Sequence, residues 1–131
     1  MIHSPEFVHF GISVTNLARS VQWYCKNLGF TEVKRFEKPE LQIKGAILAL
    51  GNGTLEILEP ARPAKPDKIK GTLQIHLQRI GANHLAIGVD DLSTYYERLK
   101  QKNVKFVSEI VDNRFFFCKD PDEMLLEIRQ T

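Results

Sequence analysis

Apolar and polar residues alternate along two separate stretches of the chain. The alternating apolar positions are Val8, Phe10, Ile12 and Val14 in the first stretch and Leu85, Ile87 and Val89 in the second. Such alternation is typical of a strand with one buried face. Each stretch is therefore predicted to form a β-strand whose apolar side faces a helix.

A helix is predicted directly after each of these strands. Asn16 and Asp91 are suitable N-caps, and Gly29 suits the left-handed residue that ends a helix. The first helix is expected to end at about residue 28, and apolar residues recur along it at three- and four-residue spacing. This stripe consists of Leu17, Val21, Tyr24 and Leu28, and the second helix carries Leu92, Tyr95 or Tyr96, and Leu99.

Three more strands are predicted after each helix. Their ranges are about 30–35, 45–50 and 54–58 in the first half and about 105–109, 114–118 and 125–129 in the second. The Gly51-Asn52-Gly53 sequence favours a hairpin turn, and residues 120–123 form the matching turn of the second half. Each half therefore has the order βαβββ.

The two halves are also related in sequence. Residues 9–17 align without a gap to residues 84–92, with His, Ile, Val and Leu at matching positions, and Leu-Glu-Ile recurs at 55–57 and 126–128. We predict an α+β fold of two tandem βαβββ modules in a single domain over 1–131. Module 1 spans about 6–60, a linker spans 61–81, and module 2 spans about 82–131.

Four polar residues occupy equivalent positions in the two modules. Strand alternation places His9, His84, Glu56 and Glu127 on the face away from the helices. A carboxylate in mid-strand between large apolar residues is costly unless it is paired or bound to a metal. Two histidines and two glutamates that converge about a pseudo-twofold axis suit a divalent metal. On the same face, Gly11 and Gly88 indicate that another group approaches the backbone.

Other residues are weaker candidates for this site. Glu59 competes with Glu56 but lies out of register, just before Pro60. His3 near the chain end and His76 in the linker are expected on the surface. The linker is predicted to be a loop with a helical turn at about 72–79. It is either a solvated connection or a basic flap over an anionic substrate.

Composition excludes several classes of function. The chain has 131 residues and a net charge of +2, which provides no electrostatic footprint for nucleic acid. No apolar run is long enough to span a membrane, and the N-terminus has no export signal, so a cytoplasmic protein is expected. Cys25 and Cys118 are expected to be buried free thiols.

These motifs together resemble the vicinal oxygen chelate superfamily, which includes glyoxalase I. The resemblance covers essentially the whole chain and depends on four segments. They are His9-x-x-Ile12-x-Val14-x-Asn16-Leu17-x-x-Ser20-x-x-Trp23-Tyr24-x-x-x-Leu28-Gly29-Phe30, Leu55-Glu56-Ile57, His84-x-x-Ile87-x-Val89-Asp90-Asp91-Leu92, and Asp120-Pro121-Asp122-x-x-x-Leu126-Glu127.

The resemblance implies a curved mixed sheet around a central cavity that encloses a metal. It implies that His9, Glu56, His84 and Glu127 are the ligands, a set similar to that of bacterial glyoxalase I, with Glu127 as the catalytic base. The ion would be Zn²⁺, Ni²⁺, Co²⁺ or Mn²⁺. Relatives commonly form dimers, so a homodimer is expected. The ligands of each metal site would come either from one chain or from both chains of the dimer.

The implied chemistry is removal of a proton next to a carbonyl. A divalent ion that chelates two vicinal oxygens stabilises the enediolate as a Lewis acid, and a carboxylate transfers the proton. Transfer to the neighbouring carbon of a thiol adduct of an α-oxoaldehyde is glyoxalase chemistry. Return of the proton to the same carbon of an acyl-CoA is epimerisation, as in methylmalonyl-CoA epimerase. The basic linker would suit a phosphate group of CoA.

Three further alternatives exist in this fold. Extradiol oxygenases and fosfomycin-modifying transferases need only three protein ligands, so Glu56 argues against both. A non-catalytic drug- or metabolite-binding protein, similar to bleomycin-resistance proteins, needs no inward ligands at all. The chain also departs from the usual Asp-Pro-Asp-Gly turn, since Glu123 replaces glycine, which costs about 1 kcal/mol if φ is positive there.

Overall fold

The chain forms two compact units, each with its own sheet and helix. A computed structural model describes residues 4–64 and 69–131, and the units are Met1–Ala64 and Lys65–Thr131. Each unit contains one four-stranded mixed sheet. The predicted α+β class and the two βαβββ modules are confirmed.

The first unit consists of a parallel strand pair extended by two antiparallel strands. Its elements are β1 (Phe10–Ser13), α1 (Leu17–Leu28), β2 (Thr31–Lys38), a 3₁₀ turn (Pro39–Leu41), β3 (Ile43–Leu50) and β4 (Gly53–Pro60). The strand order is β1-β4-β3-β2, with β1 and β4 parallel and the other pairs antiparallel.

Helix α1 forms where its caps and its apolar stripe predict it. The Asn16 side chain accepts a hydrogen bond from the Arg19 N–H, and Gly29 ends the helix with φ of 78°. The predicted stripe is buried, and Tyr24 is fully inaccessible to solvent. The buried core of this unit also contains Ile12, Val14, Ala46, Leu48, Leu55 and Ile57.

The second unit repeats this arrangement after a short extra helix. Its elements are α2 (Leu73–His76), β5 (Leu85–Val89), α3 (Leu92–Gln101), β6 (Lys105–Phe106), β7 (Phe115–Lys119) and β8 (Leu125–Gln130). The strand order is β5-β8-β7-β6, with β5 and β8 parallel. Its core contains Ile87, Val89, Leu92, Leu99, Phe116, Cys118, Leu126 and Ile128.

Several predicted strand limits were wrong. Strand β2 extends to Lys38, and strand β3 begins at Ile43. Both strands are longer than predicted because their antiparallel ladder includes the polar residues on either side of the 3₁₀ turn. Strand β6 ends at Phe106 instead of residue 109, since the N–H groups of Val107 and Ser108 both donate to the Phe117 carbonyl. Val8 lies before β1 and is 65% exposed, so it does not pack against the helix.

The predicted surface position of His76 was also wrong. His76 ends α2 and is buried, and its Nδ1 donates to the Thr72 carbonyl at 2.8 Å. The predicted helical turn at 72–79 is present but shorter. His3 and the linker residues 65–68 lie outside the described residues.

The two cysteines are free thiols in different surroundings. Cys118 is buried in β7, and burial raises the pKa of its thiol to about 12. Cys25 is only partly buried, contrary to the prediction that both are buried.

Membrane-spanning helices are absent from the part of the chain that the structure describes, where every helix is too short or too polar for that role.

Candidate metal centre

The first His–Glu pair is created by the parallel pairing of β1 and β4. Gly11 in β1 lies opposite Glu56 in β4, and His9 stands two residues before Gly11. The Nε2 atom of His9 lies 3.5 Å from Oε1 of Glu56, and the two side chains are 36% and 25% exposed. The pair is therefore accessible from solvent and also partly covered by the sheet.

Gly11 lies beside this carboxylate. A Cβ atom built on Gly11 would lie 3.7 Å from Oε1 of Glu56, which is van der Waals contact. The group that approaches the backbone here is therefore the carboxylate of the pair. At Gly88 the approaching group is different, because a Cβ atom would lie 2.5 Å from the methyl carbon of Thr131.

The second pair has the same construction in the second unit. Strand β5 pairs in parallel with β8, and Ala86 lies opposite Glu127. The Nε2 atom of His84 lies 3.2 Å from Oε1 of Glu127. Glu127 is more enclosed than Glu56, since its side chain is only 10% exposed. The Phe117 ring contacts the His84 ring edge-on, with 5.1 Å between the centroids.

Two polar side chains that the sequence pattern did not predict flank the second pair. Asn83 Oδ1 lies 2.8 Å from His84 Nδ1, and Arg129 Nη1 donates to Glu127 Oε2. The Arg129 guanidinium also lies over the Phe115 ring. Arg129 could have been found in the sequence, because it follows Glu127 by two residues and so shares its face of β8.

The donor atoms fit a divalent ion in type and spacing. Bonds of roughly 2.0–2.2 Å separate two neighbouring ligand atoms by about 2.8–3.1 Å at octahedral angles and by about 3.3–3.6 Å at tetrahedral angles. The two Nε2–Oε1 distances, 3.5 and 3.2 Å, lie close to the tetrahedral spacing. Among the described residues, no group of three or more His, Cys, Asp or Glu side chains could hold a metal. The donors thus occur as two pairs, and the four-ligand site stays a prediction.

Glu59 lies outside both His–Glu pairs and contacts other groups. Its Oε1 accepts a hydrogen bond from the Leu17 N–H at 2.8 Å, at the start of α1, and its Oε2 lies 3.2 Å from Lys44 Nζ. The Leu17 N–H and the Lys44 ammonium lower the pKa of this carboxyl. A cavity of about 550 Å³ beside Glu59 is lined by neither His9 nor Glu56.

Comparison with known proteins identifies the family. Residues 6–128 match the Glyoxalase/Bleomycin resistance protein/Dioxygenase superfamily. The chain belongs to this superfamily. The expected resemblance is confirmed, since the matched region includes both His–Glu pairs and nearly the whole chain.

Curated proteins similar to this chain include enzymes of two kinds and a protein without an assigned activity. The uncharacterized protein YaeR of Escherichia coli is 31% identical, with 98% of each chain covered. Human mitochondrial methylmalonyl-CoA epimerase is 29% identical, with 93% of this chain and 72% of the relative covered. A probable lactoylglutathione lyase from Synechocystis is 26% identical, with 95% of this chain and 94% of the relative covered.

Solved structures from the superfamily share the fold. The trypanothione-dependent glyoxalase I of Leishmania major has a TM-score of 0.78 at 24% identity, with 97% of this chain and 87% of that chain covered. A glyoxalase family protein from Enterococcus faecalis has a TM-score of 0.75 at 26% identity, with 95% and 96% covered.

Proposed function

We propose that this superfamily member is a divalent-metal-dependent lyase or isomerase of the glyoxalase I type. The observation that supports the proposal most directly is the duplicated His–Glu pair. Each unit holds one imidazole nitrogen and one carboxylate oxygen at the spacing of two ligands of one ion. Two such pairs supply the four ligands that the family resemblance implies.

The residues proposed to hold the ion are His9, Glu56, His84 and Glu127. Imidazole and carboxylate ligands suit Zn²⁺, Ni²⁺, Co²⁺ or Mn²⁺. When bound, the ion supplies Lewis-acid stabilisation of the negative charge that develops on the substrate oxygens. A homodimer and a small-molecule substrate are proposed with it, the substrate being a thiol adduct of an α-oxoaldehyde or an acyl-CoA.

Glu127 is proposed as the base that moves the proton. It is the more buried of the two paired glutamates, so bulk water has less access to its carboxylate. Arg129 holds Oε2, which leaves Oε1 as the oxygen that can contact a ligand or take a proton. A positioned carboxylate of this kind contributes about 10²–10⁴-fold to a rate.

An epimerase is the second candidate, favoured by the 29% identity to human methylmalonyl-CoA epimerase. The two activities need the same residues and differ in where the proton returns. A binding protein without catalysis, similar to the bleomycin-resistance proteins of this superfamily, is the third candidate. It has no use for paired imidazoles and carboxylates, so its metal content distinguishes it.

The test is to purify the full chain, remove metal with EDTA, and restore Zn²⁺, Ni²⁺, Co²⁺ or Mn²⁺ separately. Each form is then assayed on adducts of methylglyoxal with glutathione and other thiols, and on methylmalonyl-CoA. We expect turnover of the thiol adducts that disappears with EDTA. Turnover of methylmalonyl-CoA alone selects the epimerase, whereas full metal loading without turnover of either substrate contradicts both enzymatic proposals.

A further inference from the structure

The residue before each histidine differs between the two units. Val8 precedes His9 and is 65% exposed, and its side chain has no polar atom. Asn83 precedes His84, and its Oδ1 lies 2.8 Å from His84 Nδ1. The duplicated modules are therefore asymmetric at the imidazole, because only the second histidine has an adjacent side chain that can fix its ring.

The orientation of the Asn83 amide follows from its other contact. Its nitrogen, Nδ2, lies 3.1 Å from the His76 carbonyl oxygen, which can only accept a hydrogen bond. The amide must therefore donate there, and its oxygen faces His84. Since an amide oxygen only accepts, Nδ1 of His84 has to be the atom that carries the hydrogen.

A neutral imidazole has one ring proton, and two acceptors compete for it. The Nδ1 contact to Asn83 is 2.8 Å, whereas the Nε2 contact to Glu127 is 3.2 Å, at the long end for an N–H···O bond. With the proton on Nδ1, Nε2 directs its lone pair at Glu127 Oε1. Two acceptor atoms that face each other leave a position that suits a cation.

We infer that Asn83 is a positioning residue, which holds His84 in the Nδ1–H form and so presents Nε2 as a metal ligand. The inference rests on the proposed function. Asn83 is itself anchored by α2, because the His76 carbonyl binds it and the buried His76 ring is tied to the Thr72 carbonyl. Helix α2, which precedes the second βαβββ module, thus holds Asn83 in place beside the second His–Glu pair.

The first test reads the tautomer of His84 in the metal-free full chain. Nitrogen-15 NMR at an alkaline pH, where imidazole is neutral, shows which ring nitrogen carries the proton. We expect Nδ1–H in the wild type and in Asn83→Asp, which keeps the acceptor. We expect Nε2–H in Asn83→Leu and in Asn83→Ala, because Glu127 is then the remaining acceptor. A wild-type Nε2–H form would overturn the inference.

The second test measures zinc affinity by competition with a chelator. Loss of a residue that orients a ligating histidine typically weakens metal binding about 10–100-fold. We expect a loss of that size in Asn83→Leu and Asn83→Ala and a smaller loss in Asn83→Asp. Gln101→Leu, on the exposed side of the second unit, is the matched control and should bind as the wild type does. Unchanged zinc affinity in both Asn83→Leu and Asn83→Ala contradicts the inference.

The two tests separate this inference from the proposed function. A wild type that binds zinc but turns over neither substrate refutes the enzymatic proposal, and the zinc affinities still decide the role of Asn83. If the wild type is catalytically active but the Asn83 substitutions change neither the His84 tautomer nor the zinc affinity, only the inference about Asn83 is refuted.

Discussion

Single residues decide how the two His–Glu pairs differ. Glu127 has two polar partners, with His84 on one carboxylate oxygen and Arg129 on the other, and its side chain is 10% exposed. Glu56 lies against Gly11, and its side chain is 25% exposed. Position 58, two residues after Glu56, is leucine where the second unit has Arg129. Glu127 is therefore the better-fixed carboxylate, which supports its proposed role in proton transfer.

Glu127→Gln should reduce turnover by about 10²–10⁴-fold at saturating metal, because an amide cannot accept the substrate proton. Steady-state rates on the substrate identified for the wild type measure this effect, together with the metal content of each protein. Glu37→Gln, on exposed β2, is the control and should keep the full rate. Wild-type turnover in Glu127→Gln would remove Glu127 from the mechanism.

At the scale of elements, helix α1 is tied to its sheet by a charged contact at its first residue. Glu59 in β4 accepts a hydrogen bond from the Leu17 N–H. An anion at a helix N-terminus stabilises the helix by about 0.3–1 kcal/mol. The folded pKa of Glu59 is lowered, so its contribution is complete above the unfolded pKa and is lost as the pH falls through the folded pKa.

Glu59→Gln should therefore lower the free energy of unfolding by about 0.5–1 kcal/mol at neutral pH. The difference from the wild type should shrink toward zero as the pH falls below the ordinary glutamate pKa of about 4.3, because both chains are then uncharged at this position. Urea denaturation over this pH range measures it, with Glu97→Gln on the exposed side of α3 as the control. A difference that does not change with pH would contradict the charge-based account.

The turn between β7 and β8 contains a strained residue. Glu123 has φ of 67°, in the left-handed region that costs an ordinary residue about 1 kcal/mol. Glu123→Gly should raise the free energy of unfolding by roughly 0.5–1 kcal/mol, because glycine adopts this conformation without strain.

Urea denaturation of this variant is compared with Glu123→Ala. Alanine keeps the strain and loses the contact between Glu123 and Lys119, so it should not stabilise the chain. A stability gain in Glu123→Ala equal to that in Glu123→Gly would show that backbone strain is not the cause.

The elements that sequence predicted best are those with local signals. The Asn16 cap, the apolar stripe and Gly29 together fix α1, and its observed limits, Leu17–Leu28, follow them. The limits of β2, β3 and β6 were missed because strand length depends on the partner ladder, which a single segment does not encode. Val8 alternates correctly with Phe10 but lies outside β1, since alternation does not show where pairing begins.

At the scale of the whole molecule, the repeat was the most informative signal. It correctly predicted two βαβββ units. It also placed each histidine on the same sheet face as the glutamate of its own module, and these two side chains lie 3.5 and 3.2 Å apart. The convergence of all four residues on one site stays a prediction. It could not predict the features that the modules do not share. The burial of His76 and the contact of Asn83 with the His76 carbonyl depend on α2, which has no counterpart in the first module.

The proposed metal centre requires His9, Glu56, His84 and Glu127 to hold one divalent ion together. Elemental analysis of the full chain, saturated with Zn²⁺ and freed of excess metal, measures this when His9→Ala and His84→Ala are compared with the wild type. We expect one ion per chain in the wild type and a large loss in each variant, although the two histidines belong to different units. Two ions per chain, with one retained in each variant, would show that the pairs bind metal separately, and no bound ion would contradict the metal centre altogether.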